Sequence, residues 1–199
     1  MPRIPALAPK DAGALVKIGY RMARKQLGEV PEPFAIMAHH RKIFVLAARH
    51  ELALQKAMHV VPAPLVELAV YRTAWTVGCS WCVDFGAMLQ RLEGLDIDRL
   101  KEIGEFEASG KFTDDEREVI RYADAMTATP TEVTDEQVAS LVEKYGYDGV
   151  LELTYQISHE NQRARMYHAL GITEQGFSSG DACRVPWATD SAEPASQAV

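Results

Sequence analysis

Apolar residues recur at three- and four-residue spacing along most of the chain, and helix caps punctuate them. The segment PKDAGALVKIGYRMARKQLG opens on proline and aspartate and closes on Gly28, the outline of one helix. In PEPFAIMAHHRKIFVLAARHELALQKAMH, residues Phe34, Met37, Ile43 or Phe44, Ala47 and Leu52 keep helical spacing, as one long helix or two. VPAPLVELAVYRTAWTVG begins after prolines and stops at Gly78, and CSWCVDFGAMLQRLEG follows it to about Gly94. TDDEREVIRYADAMTATP carries threonine at its cap, acids in its first turn and a proline stop. TDEQVASLVEKYG repeats that grammar to Gly146, and DGVLELTYQISHENQRARMYHALGI closes on Gly171. No stretch alternates apolar and polar residues between turn dipeptides, so the pattern predicts an all-α fold of seven to nine helices. The tail, SSGDACRVPWATDSAEPASQAV, lacks periodicity. The expected organisation is one all-α domain over residues 1–175 and a C-terminal arm over 176–199.

Composition changes this picture little. At 199 residues the chain supports one sizeable core, and 47% hydrophobic with 25% charged residues is ordinary for a globular protein. A net charge of −7 with no basic block argues against nucleic acid or an anionic membrane as a partner. No run of 18 apolar residues occurs and the N-terminus has no signal-peptide core, so the expected location is cytoplasmic.

The candidate chemistry lies in ELAVYRTAWTVGCSWCVDFGAMLQRLEG. It holds Cys79 and Cys82; the third cysteine, Cys183, is far away in the tail. Three cysteines make no disulfide framework, and in a reducing cytosol a CxxC pair points to catalysis or metal. A helix starting at the pair offers unpaired N–H groups and a dipole that favour a thiolate, at a spacing that also permits a disulfide. Glu67 precedes Cys79 by twelve residues, about 18 Å along a continuous helix. If the chain reverses at Thr76 to Gly78, the two helices run antiparallel. Glu67 then stands level with Gly86, one turn beyond Cys82, and can take the thiol's proton directly or through water. Tyr71 and Trp75 follow Glu67 at four-residue spacing as aromatic walls.

Glutamate, eleven residues, CxxC and a helix together resemble the active-site motif of the alkylhydroperoxidase D and carboxymuconolactone decarboxylase superfamily. The resemblance runs from about Pro31 to Ile172, including LVELAVYRTAWTVGCSWC, FTDDEREVIRYADAMTATP and NQRARMYHALGI. It implies an AhpD-like helical fold, homo-oligomers, and either a CxxC peroxidase or a cysteine-free decarboxylase. In the peroxidase branch Cys82 attacks a small peroxide, Cys79 resolves the product and Glu67 is the base, with a thiol or dithiol reductant of unknown identity as partner. The family motif has a histidine four residues after the second cysteine; this chain has Gly86. A glycine in mid-helix marks close approach by a ligand or a packed helix, and His159 or His168 reaches the site only through tertiary folding. The helix dipole acts on both cysteines, whereas the carboxylate acts on one, which favours Cys82 as nucleophile.

Other duties compete for each residue. The cysteines can be buried packing residues, and Glu67 a surface group or a partner of Arg72 or Arg91. A zinc site would need two more ligands with no second pair at ligand spacing, so no cofactor or metal is expected. His39, His40, Trp75 and Trp81 read more readily as packing or surface residues. Three functions remain: a thiol-dependent peroxidase, a decarboxylase-type enzyme acting on a small cyclic acid through Glu67, and a non-catalytic redox-sensing or structural oligomer.

Overall fold

The computed structural model describes residues 2–92 and 94–178. Its elements are α1 (Ala14–Leu27), α2 (Glu32–Met37), α3 (Arg41–Ala57), α4 (Ala63–Val77), α5 (Ser80–Leu92), a 3-10 helix (Asp98–Glu105), α6 (Asp114–Thr127) and α7 (Asp135–Ala169). No strand occurs among the described residues, so the expected all-α class holds. The caps do the work anticipated of them. Thr113 with Glu116, and Thr134 with Gln137, form reciprocal capping boxes at the starts of α6 and α7. The long apolar stretch at 33–57 is two helices, broken at residues 38–40. Gly146 interrupts α7 with φ 67°, so α7 is two helices meeting at the glycine that ends TDEQVASLVEKYG. The 3-10 helix had no expectation; its eight residues lack both a cap side chain and a long apolar repeat.

α4 is the central helix because little of it is polar. It packs against α5, α6 and α7 and buries Val66, Leu68, Ala69, Tyr71 and Ala74. One apolar cluster joins α4, α5, the 3-10 helix and the end of α7, and contains both Cys79 and Cys82. A second joins α4 to α6 and α7 through Val119, Leu141, Leu153 and Ile157. A third, smaller cluster holds α1 to α2 and α3 around Tyr20 and Phe44.

Two buried ionic groups fix α4 at either end. Before it, the Glu152 carboxylate accepts the N–H groups of His59, Val60 and Val61 at 3.0–3.2 Å and so anchors the entering turn to α7. Within it, Arg72 binds Asp124 of α6 through Nε at 2.6 Å and Nη2 at 2.9 Å, and donates Nη1 to the Ile103 carbonyl. The guanidinium also lies 4.5 Å from the Trp75 ring centre. The Arg72 charge is thus engaged by Asp124.

Candidate functional site

The turn between α4 and α5 is two residues, Gly78 and Cys79. Gly78 has φ 84° and ψ 29°, a left-handed geometry that glycine adopts without strain. Its N–H and that of Cys79 return to the Ala74 and Trp75 carbonyls, closing α4. Cys79 stands immediately before α5, one residue earlier than a first-turn position. Its Sγ accepts the Cys82 N–H at 3.2 Å, in the place of a capping side chain. Cys79 and Cys82 are joined as a disulfide with Cα atoms 5.3 Å apart. Both are buried, Cys79 at 2% and Cys82 at 9% exposure. Cys183 lies outside the described residues.

Tyr71 accounts for Gly86. A Cβ at position 86 would stand 3.2 Å from Tyr71 Cδ2, so the α5 backbone is open there to admit a ring from α4. The antiparallel pairing sets Tyr71 opposite Cys82, and helical side chains lean toward their own N-terminus, which carries the ring on toward Gly86. The glycine thus marks a packed helix, one of its two expected meanings. Tyr71 is 1% exposed and belongs to the same apolar cluster as the cysteines. Glu67, one turn earlier on α4, is half-buried. Trp75 turns elsewhere: its ring would lie 3.0 Å from a Cβ on Gly104 of the 3-10 helix.

Neither candidate histidine of the last helix joins this arrangement. His159 Nε2 lies 2.7 Å from Glu51 Oε1, and His168 is exposed. Asp84 is near Cys82 in sequence but off its helix face, and the sequence did not show its role. It is 2% exposed and fully engaged. Its Oδ2 accepts the N–H groups of Gln175, Gly176 and Phe177 at 3.0, 2.8 and 3.0 Å. Its Oδ1 accepts the N–H and hydroxyl of Ser178 at 2.7 and 2.6 Å. Successive N–H groups around one carboxylate form an anion nest. Burial would raise the Asp84 carboxyl, but these hydrogen bonds outweigh it and hold the group below its usual range. The 175–178 segment is therefore strapped across α5 beside the cysteines. Gln175 Oε1 accepts Trp81 Nε1 at 2.7 Å, and Phe177 meets Trp81 and Phe85 edge-on at 6.1 and 5.2 Å. Trp81 also meets Tyr167 of α7 at 5.4 Å. The only sequence signal for the strap was an acid in an apolar helix and a glycine, Gly176, in a short post-helix run.

No family model matches the chain. It is 28% identical over 163 residues to the uncharacterised protein YnjA of Escherichia coli (strain K12), covering 82% of this chain and 87% of that one. Among solved structures, the alkylhydroperoxidase AhpD core of an uncharacterised peroxidase-related protein from Ralstonia eutropha JMP134 aligns with TM-score 0.78 at 16% identity, over 89% of this chain and 94% of the other. The debrominase Bmp8 aligns with TM-score 0.76 at 17% identity, over 89% and 95%. The fold is thus the AhpD-like helical fold expected from the motif.

Proposed function

We propose that this chain is a thiol-dependent peroxidase that cycles between a Cys79–Cys82 dithiol and the corresponding disulfide. The observation that carries the proposal is that disulfide, at the start of a buried helix in an AhpD-like fold. In the proposed cycle the Cys82 thiolate attacks one oxygen of a small peroxide ROOH. The O–O bond breaks, an alcohol leaves, and Cys82 becomes a sulfenic acid. Cys79 then attacks the Cys82 sulfur, water leaves, and the disulfide closes. A cellular thiol or dithiol donates two electrons to reopen it. Glu67 accepts the Cys82 proton at the start, and the α5 N-terminus favours the thiolate on both cysteines. A decarboxylase needs no thiol, so the cysteine pair speaks against that alternative.

Reductive dehalogenation of a small aromatic is a second reading. Trp81, Phe85, Tyr167 and Phe177 pack around the cysteine helix, and the structural neighbour Bmp8 is a debrominase. The two readings share the nucleophile and differ in product: an alcohol with no halide, or a halide ion. The protein is further proposed to be a homo-oligomer, since Leu15, Ile18 and Met22 of α1 and Tyr147 and Leu151 of α7 are exposed.

The test is a substoichiometric peroxide pulse with a sulfenic-acid trap. Labelling is expected to persist at Cys82 in Cys79→Ser and to vanish in Cys82→Ser, and Glu67→Gln is expected to slow it by about 100-fold or more. Labelling of Cys79 in Cys82→Ser at the wild-type rate would reverse the two roles. Halide release from a halogenated pyrrole or phenol, without peroxide turnover, would select the second reading.

A further inference from the structure

α3 joins the rest of the molecule unusually. Of its 17 residues only Phe44 and Leu54 are buried, while Leu46 and Leu52 are exposed. Toward its C-terminal half the link to α7 is polar. Glu51 Oε1 lies 2.7 Å from His159 Nε2, and the His50 ring meets the His159 ring edge-on at 4.5 Å. One ring nitrogen from each histidine and a Glu51 oxygen all lie within 4.8 Å of one another. We propose that His50, Glu51 and His159 bind one borderline divalent cation, zinc foremost, which clips α3 to α7.

The donor set supports this choice. Two imidazoles and one carboxylate suit zinc, cobalt or nickel, and not the all-oxygen shells of calcium and magnesium. His50 and Glu51 are half-buried, which leaves an entry path for the ion. The Tyr155 hydroxyl, 2.9 Å from His50 Nε2, orients that ring from the second sphere.

Arg163 is the apparent obstacle, and the neighbouring Glu160 removes it. Arg163 Nη1 makes long contacts to Glu51, at 3.2 and 3.3 Å. Its Nε and Nη2 bind Glu160 Oε2 at 2.9 and 2.5 Å. Glu160 is 2% exposed, and its other oxygen, Oε1, has no hydrogen-bond partner. That vacant acceptor can take the Arg163 Nη1 N–H when Glu51 turns to the cation, so both oxygens of a buried carboxylate become satisfied. The cation site is independent of the thiol chemistry proposed above.

The experiment titrates zinc into the full-length, tag-free protein by calorimetry, with Cys79 and Cys82 held as the disulfide and Cys183 alkylated. One zinc per chain is expected, with a higher melting temperature and slower hydrogen exchange in α3. Glu51→Gln keeps the shape of the site, and His50→Ala removes one imidazole from a half-buried position. Each is expected to weaken zinc by more than about 100-fold, and Tyr155→Phe by about tenfold. Absence of saturable binding to the wild type, or wild-type affinity in either ligand variant, overturns the proposal.

Discussion

Position 86 shows how one residue can be read correctly in kind yet need its neighbour to be explained. Glycine inside a helix costs about 1 kcal/mol relative to alanine, so Gly86→Ala in isolation would stabilise α5. Here the new methyl meets the Tyr71 ring at 3.2 Å, inside a packed cluster that leaves the ring little room to retreat. Overpacking of this kind costs about 1–3 kcal/mol and wins. Gly86→Ala is expected to lower stability by about 1 kcal/mol by chemical denaturation, whereas in a Tyr71→Leu background the same change is expected to stabilise by about 1 kcal/mol. Equal effects in both backgrounds would show that the ring is not what excludes a side chain. Histidine at 86 should be accepted only when Tyr71 is truncated.

Among the elements, the strap over α5 depends on a single carboxylate. Asparagine at position 84 would be the same size, but its amide NH2 must replace one of two oxygens that receive only donors. Either orientation sets N–H against N–H in a buried site. Asp84→Asn is therefore expected to cost about 2–3 kcal/mol and to release the amides of 175–178 to hydrogen exchange. The same bonds give a pH dependence with a definite sign. The folded-state pKa of Asp84 lies below the ordinary value of about 3.9, so its stabilisation is complete above that value and is lost as pH falls through the folded pKa. Protection of these amides should hold from neutrality to about pH 4 and fade below it. In Asp84→Asn that acid step should vanish.

For the whole molecule, Leu15, Ile18 and Met22 of α1 and Tyr147 and Leu151 of α7 remain exposed among the described residues. Light scattering at micromolar concentration should give a multiple of the 22.1 kDa chain mass. Leu151→Glu, on a residue 68% exposed, should shift that mass toward the monomer while leaving helicity by circular dichroism unchanged. A wild-type mass equal to one chain would remove the oligomer from the proposed function. Among the described residues no helix is long and apolar enough to cross a membrane, in keeping with the absence of an 18-residue apolar run.

Helix identity was legible along the chain because caps and 3.6-residue periodicity are local. Thr113, Thr134, Gly78 and Gly146 each act within one turn of their own position, and each serves where the pattern placed it. The reversal at Gly78 and the disulfide spacing of Cys79 and Cys82 were legible for the same reason. Contacts between residues far apart in sequence were not. Tyr71 against Gly86, Asp84 with residues 175–178, and Glu51 with His159 span 15, about 90 and 108 residues respectively. Nothing in a helix's own repeat says which distant surface it will meet. An acid on an apolar helix reads as solvated, paired or catalytic until the fold brings its donors to it. Local hydrogen bonding and side-chain period set the elements, while burial against a non-local partner set which of their polar residues carry structure and which remain free for chemistry.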